Sequence, residues 1–386
     1  MKALKRIITL AALAFLLAFA FNIGSVRDAV NSAGSSLSHR LGFASEPELM
    51  SAEDVMADML KQIESYSTVL VFHNTDADTV VDAFNTVLES HPEFFWLEGG
   101  CTYSNCTDED GSRCIKVKLT FAFDEAEIPA MDAEFRQVVD DIAAQADKAG
   151  TDYDKALFAH DFIAENCSYD HALSDLISQG STDFDRSGAT AYGCLVRHSA
   201  VCAGYTAAFQ VLMNSLGVSC GCTEGWSDNG DGPQNHIWNY ITLEGENYYV
   251  DVTWDDLAYD ASDTSGGEHT SHRYFCVTGN ELYRSHHLDS DESDPNCTAT
   301  KYNYHIYSGY YLSAYDYSAV SSLIDSQYGN RVMELKFSSY DELLLACSDL
   351  FDNNGVFRIP SIRANGHCTV WHTVCEDSCV LTLWVE

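Results

Sequence analysis

Residues 236–254 read His236-Ile-Trp-Asn-Tyr-Ile-Thr-Leu-Glu-Gly-Glu-Asn-Tyr-Tyr-Val-Asp251-Val-Thr-Trp254. Apolar and polar side chains alternate on both sides of Glu244-Gly245, as in two antiparallel strands joined by a tight turn. With Leu243 facing Glu246, Asp251 falls opposite Trp238, and strand parity puts His236 and Asp251 on one face as diagonal neighbours. Such neighbours lie about 7–8 Å apart at Cα, within reach of an imidazole and a carboxylate. A turn shifted to Gly245-Glu246 would instead set Asp251 opposite Tyr240 and weaken the pairing.

Upstream lies Ser199-Ala-Val-Cys-Ala-Gly-Tyr-Thr-Ala-Ala-Phe-Gln-Val-Leu-Met-Asn-Ser-Leu-Gly217. Tyr205, Phe209, Leu212, Met213 and Leu216 mark one helical face, and Gly217 is a natural stop. Ser199 reads as the N-cap, which puts Cys202 in the first turn. There the helix dipole and free N–H groups stabilise a thiolate, the form that attacks a carbonyl. Ala203 and Gly204 leave room for a substrate. A cysteine alone would more often be buried or bridged; a histidine and an acid downstream shift the reading towards catalysis.

Ala191-Tyr-Gly193, Val201-Cys-Ala-Gly-Tyr205, His236-Ile-Trp-Asn239 and Val250-Asp-Val-Thr-Trp254 together resemble the transglutaminase-like superfamily, with further support from Arg273-Tyr-Phe-Cys-Val277 and His286-His287. The resemblance covers about Asp154 to Asp289. It implies an α+β, papain-like thiol fold in which a helix carrying the cysteine packs on an antiparallel sheet carrying the histidine and the acid. Carried over by position, Cys202 is the nucleophile, His236 the general base and then acid, and Asp251 the orienting acid. The backbone N–H of Cys202 would donate to the oxyanion. Tyr192 is either a second oxyanion or cleft residue or a packed aromatic. Trp238 and Trp254 wall the site or fill the core. One departure is the density of cysteines nearby, at Cys194, Cys220 and Cys222, since a bridge to Cys202 would silence the enzyme.

Composition sets the surroundings. Lys plus Arg number 21 against 58 Asp plus Glu, a net charge of −37, and a field of that sign repels nucleic acid and anionic membranes. Met1-Lys-Ala-Leu-Lys-Arg6 followed by an apolar run from Ile7 to Phe21 fits an export signal better than a membrane span. Residues 1–24 are therefore read as a cleaved signal or an uncleaved signal anchor, and residues 25–45 as a polar tether. In an exported chain, 14 cysteines read first as disulfides. Cys101, Cys106 and Cys114 bracket a hairpin, and Cys368, Cys375 and Cys379 cluster near the C-terminus.

Three globular regions are expected: a small α/β domain over 46–150, the catalytic core over 151–300 and a second small α/β domain over 301–386. Asp76–Ser90 and Ala130–Ala146 read as helices and Cys114–Phe123 as a strand in the first; Asp154–Asn166 is a helix in the second. The third shows a strand at Val332–Phe337, a helix at Tyr340–Phe351 and a strand at Cys379–Val385.

Several ligand-type groupings are discounted as metal sites. Cys220-Gly-Cys222 is too tight for zinc spacing. His367, Cys368, His372, Cys375 and Cys379 are irregularly spaced, which favours disulfides. Ser227-Asp-Asn-Gly-Asp-Gly232 echoes a calcium loop but has Trp238 where the bidentate acid belongs. His286-His287 reads as a packed or solvated pair. No metal or organic cofactor is required. The expectation is thus an exported or cell-surface thiol enzyme that attacks amides of peptides or proteins, cell-wall peptide among them, through a Cys202 thioester. It would act as protease, deamidase or transglutaminase. No nucleic acid partner is expected, and a membrane only if the N-terminal segment is retained. The alternative is a catalytically silent surface module that binds peptide or cell-wall glycan.

Overall fold

The computed structural model describes residues 49–109, 111–228, 230, 232–256, 270–290, 292–330, 332–366 and 368–386. The signal (1–24) and tether (25–45) readings, and His367, lie outside the described residues. The chain divides into two compact units, one running through Met131 and taking in Asp175–Phe184, the other formed by Asp132–Ser174 and Asp185–Glu386.

The first unit holds helix α1 (Ala52–Glu64), strand β1 (Val69–His73), helix α2 (Ala77–Ser90) and strands β2 (Leu97–Thr107) and β3 (Arg113–Phe121). The sheet order is β1-β3-β2. Asp76 caps α2 by accepting from the Thr79 amide, and the helix buries Val80, Ala83, Phe84 and Val87. In β3 the alternation seen in the sequence is the burial pattern itself, with Ile115, Val117 and Leu119 inside. Cys106 and Cys114 face each other across the β2–β3 ladder and are joined as a disulfide. Cys202, Cys368, Cys375 and Cys379 are free thiols. The C-terminal trio read as bridged is therefore not: Cys375 pairs with Val380 across the β13–β14 ladder of the second unit rather than with a cysteine.

Helix α3 (Ile128–Ala146) leads into the second unit, followed by α4 (Asp152–Asn166), β4 (Ser168–Tyr169), α5 (His171–Ser178), α6 (Ala191–Leu195), β5 (Ser199–Ala200) and α7 (Cys202–Ser215). Thr151 and Asp154 form a capping box that fixes the start of α4, which satisfies two amides that have no intrahelical partner. Strands β6 (Cys220–Ser227), β7 (Gln234–Leu243) and β8 (Glu246–Val250), the one-turn helix α8 (Val252–Asp255), strand β9 (Phe275–Val277), helix α9 (Gly279–Leu282) and strand β10 (His286–Leu288) follow. They build a five-stranded sheet of order β10-β6-β7-β8-β9, antiparallel at each described pairing. The architecture is α+β, with the cysteine helix packed on this sheet.

The remainder of the unit has helix α10 (Tyr304–Tyr307), strand β11 (Tyr311–Leu312), helix α11 (Tyr317–Gln327), strand β12 (Met333–Phe337), helices α12 (Tyr340–Cys347) and α13 (Pro360–Asn365), and strands β13 (Val370–Cys375) and β14 (Val380–Val385). A four-stranded sheet, β11-β12-β14-β13, covers its own core of Leu335, Phe337, Leu343, Leu350 and Leu381. Helix α12 ends four residues earlier than the sequence suggests, where Ser348–Asp352 widens into a π-turn. Among the described residues, no helix is long and apolar enough to cross a membrane.

Candidate active site

The N-cap of α7 is Val201, not Ser199, and no side chain caps this helix end. Ser199 and Ala200 instead pair in parallel with Ser168 and Tyr169, so the strand ladder holds them extended. Cys202 thus becomes the first helical residue, half-buried, at an end whose leading amides have no intrahelical acceptor. Gly204 does not open space for a substrate. A Cβ there would come within 2.7 Å of the Ala200 Cβ and 2.8 Å of the Gly188 carbonyl, while one on Gly193 would lie 2.1 Å from the Ser187 carbonyl oxygen. Both glycines allow backbone to approach backbone behind the cysteine.

Two hydrogen bonds pin this helix to β7. Thr206 Oγ1 donates to the Ile237 carbonyl at 3.0 Å, and Asn239 Nδ2 donates to the Thr206 carbonyl at 3.2 Å. Thr206 lies one turn beyond Cys202 on the same helical face, so fastening it beside Ile237 brings Cys202 near enough to His236 to help raise the ring's pKa. The hairpin has the expected register, Leu243 opposite Glu246 through Asn239 opposite Val250. Glu244 and Gly245 turn at φ 52° and 83°, as a tight primed turn requires.

Asp251 follows β8 as the N-cap of α8. Its Oδ1 accepts from the Trp254 amide at 3.1 Å, and its Oδ2 accepts from His236 Nε2 at 2.6 Å and from His286 Nε2 at 2.9 Å. All three side chains are buried. Burial alone would lower the His236 pKa, but the Asp251 charge and hydrogen bond, with a smaller contribution from Cys202, push it up to about 10. For Asp251, burial is outweighed by the charge of His236 and the two imidazole hydrogen bonds, which hold the carboxyl far below its usual range. Burial and the neighbouring His236 charge keep His286 below its ordinary value. Its Nδ1 lies 2.9 Å from Ser285 Oγ, which a neutral ring accepts from while Nε2–H donates to Asp251. The resting set is an imidazolium, a carboxylate and a neutral imidazole.

His286 is the site residue that the sequence reading set aside. It reaches Asp251 because β10 pairs with β6, at a close approach enforced by Gly225, where a Cβ would lie 1.9 Å from the His287 carbonyl oxygen. Trp238 is wholly buried and Trp254 nearly so. Their rings lie 5.8 Å and 6.1 Å from the His236 ring and 5.1 Å and 4.5 Å from that of His286, so both line the back of the histidine pair. Tyr192 donates to Glu134 Oε2 at 3.0 Å, beneath the Arg197 guanidinium and beside Phe135; this is the geometry of a packed aromatic.

Among the described residues, two groups have ligand atoms close enough to share a metal ion: His236, Asp251 and His286, and His160, Asp161 and His272. In the first, both Asp251 oxygens already accept hydrogen bonds, Oδ1 from the Trp254 amide and Oδ2 from the two imidazoles. In the loop that echoes calcium sites, Asp228 Oδ1 accepts from the amides of Gly230 and Gly232 at 2.8 and 3.1 Å, a use of the carboxylate internal to the turn. A cavity of about 330 Å³ bounded by Glu165, Cys167, His198 and Asp256 includes none of the three central residues.

Residues 140–253 match the family described as the Transglutaminase-like superfamily. No curated protein matches the chain. Among solved structures, a TGase is similar at 16% identity and a TM-score of 0.29, over 46% of this chain and 48% of that one. A candidate cysteine protease from Cytophaga hutchinsonii gives 16% and 0.24 over 41% and 63%, and a candidate protease from Parabacteroides distasonis gives 13% and 0.23 over 40% and 36%. Each likeness thus takes in less than two thirds of the other chain's length. Residues 140–253, which carry Cys202, His236 and Asp251, belong to the transglutaminase-like superfamily.

Proposed function

We propose that this chain is an exported, cysteine-dependent enzyme that attacks amide bonds of peptides or proteins through a Cys202 thioester. The observation that carries the reading is the His236 ring fixed by Asp251 at 2.6 Å, with Cys202 near enough to raise its pKa and standing at an uncapped helix N-terminus. Because Nε2 is taken by Asp251, the imidazolium carries its second proton on Nδ1, and that proton is the one drawn from the thiol. The thiolate adds to the amide carbonyl, and the oxyanion is met by the amide of Cys202. His236 then returns its proton to the leaving amine as the C–N bond breaks, leaving the thioester. Water or a second amine, deprotonated by His236, resolves it to acid or new amide. Asp251 fixes the tautomer and balances the imidazolium. His286 and the Trp254 amide in turn hold Asp251 in place.

The test is thiol reactivity in the chain from Phe21 to Glu386. Dilute iodoacetamide at pH 6 should alkylate Cys202 ahead of the other free thiols, mapped by mass spectrometry, and His236→Ala should slow that labelling about 100-fold or more. Equal rates at Cys202 and the other thiols would favour the silent binding module instead.

A further inference from the structure

A second histidine–carboxylate cluster lies apart from these residues and has no part in the chemistry above. On α4, His160 Nδ1 is 2.9 Å from Asp161 Oδ1, and His272 Nε2, from the segment before β9, reaches the same oxygen at 3.1 Å. The far nitrogen of each ring ends on a buried carboxylate: His160 Nε2 on Asp255 Oδ2 at 3.1 Å, and His272 Nδ1 on Glu334 Oε2 at 2.6 Å. Asp255 is fully buried, His160 is 0% exposed and Glu334 1%. The Asp161 side chain is 39% exposed and that of His272 10%.

We propose that His160 Nδ1, His272 Nε2 and the Asp161 carboxylate bind one divalent transition-metal ion of the zinc class, with an open position on the solvent side of Asp161. Three observations converge on this assignment. The ligand atoms already lie within 4.8 Å of one another, so a small shift of Asp161 admits an ion. Each imidazole has its distal nitrogen fixed by a carboxylate, the outer-shell arrangement that sets ring orientation and basicity for metal ligands. His272 is further held by a Tyr304 ring stacked at 3.8 Å. Two imidazoles and one carboxylate suit Zn²⁺ or Co²⁺ better than Ca²⁺ or Mg²⁺.

Charge is conserved in the exchange. Without metal, each ring nitrogen faces a carboxylate oxygen, an acceptor, so each ring presents two N–H donors. Binding breaks the His160 Nδ1–H and His272 Nε2–H bonds, sends both protons to solvent and puts one dication in their place. The ion would clamp α4 to the segment carrying Asp255 and, through Glu334, to β12. The His236–Asp251–His286 set offers no such entry, since all of its members are buried.

The test uses the full chain without tag histidines, stripped by chelator and titrated with Co²⁺ and then Zn²⁺. One Co²⁺ should give a visible ligand-field band that Zn²⁺ abolishes. Calorimetry near pH 7 in buffers of differing ionisation enthalpy should read the release of about two protons. Asp161→Asn should weaken binding about 100-fold or more, and Glu334→Gln about 10–100-fold, while His286→Gln leaves it intact. The absence of a band and of proton release in the wild-type chain would overturn the proposal whatever the variants do. So would a Co²⁺ signal that survives Asp161→Asn but is lost in His286→Gln, which would assign the ion to the other cluster.

Discussion

The two histidine–carboxylate clusters of the second unit are assembled by opposite arithmetic. In one, His236 and His286 share a single acceptor oxygen of Asp251. In the other, His160 and His272 share Asp161 and each has a further carboxylate of its own. One negative charge can hold only one proton beyond neutrality, so His236 is charged and His286 is kept neutral by burial and by its neighbour. Three carboxylates lift both rings of the second set. The number of carboxylates per imidazole, more than depth of burial, decides which rings carry charge. The first set has the Cys202 thiol at its edge, and that pairs its mobile proton with a group able to give it up.

The largest effect should come from breaking the shared carboxylate. Asp251→Asn keeps the shape but removes the charge and allows the wrong His236 tautomer, so amide turnover and Cys202 alkylation should fall about 10²–10⁴-fold. The equivalent change in the second cluster, Glu334→Gln, should cost less than tenfold in the same assays while lowering thermal stability. Comparable losses in both variants would mean that the clusters act as one network.

Stability against pH separates them next. His236 and His272 both rise from an ordinary value of 6.5 to about 10. A raised group stabilises fully below its unfolded value and loses that contribution as pH climbs through its folded value. The melting temperature of metal-free protein should therefore fall steadily between pH 6.5 and 10. At the acid end, Asp251 and Glu334, both held low, withdraw their contribution as pH drops below their ordinary values of 3.8 and 4.5. His272→Gln should flatten the alkaline slope, and each kcal/mol removed is worth about 2–4 °C at this size. A curve flat from pH 6.5 to 10 would mean that neither ring is protonated in the fold.

The first cluster was largely legible in the sequence and the second was not. Glu244-Gly245 fixes the hairpin register, and register with parity puts His236 and Asp251 together without further information. His286 escaped because its place depends on β10 joining the far edge of the sheet, a pairing with no local signal. The N-cap was misread for a related reason: Ser199 has capping chemistry, but the short ladder with Ser168 and Tyr169 takes it first. His160-Asp161 looks like an ordinary piece of the α4 pattern, and its partners come from 95 and 111 residues away. Gly204 shows the limit of reading a small residue next to a nucleophile as space for substrate, since close packing gives the same letter.

The smallest effect is expected at Tyr192, whose hydroxyl belongs to neither cluster. It donates to Glu134, and its ring is buried beside Phe135. Tyr192→Phe keeps the packing and removes one hydrogen bond to a carboxylate, worth about 1.5–3 kcal/mol when the acceptor is charged. Because Glu134 is left to find water, the net loss should fall at the lower end of that range, a few degrees in melting temperature. Cys202 alkylation and turnover should be unchanged within error. An oxyanion donor would behave differently, since its loss lowers kcat by about 10²–10³-fold with little change in stability. The ratio of the two readouts in this one variant therefore decides whether the first cluster stabilises its oxyanion with backbone amides alone or borrows a hydroxyl from α6.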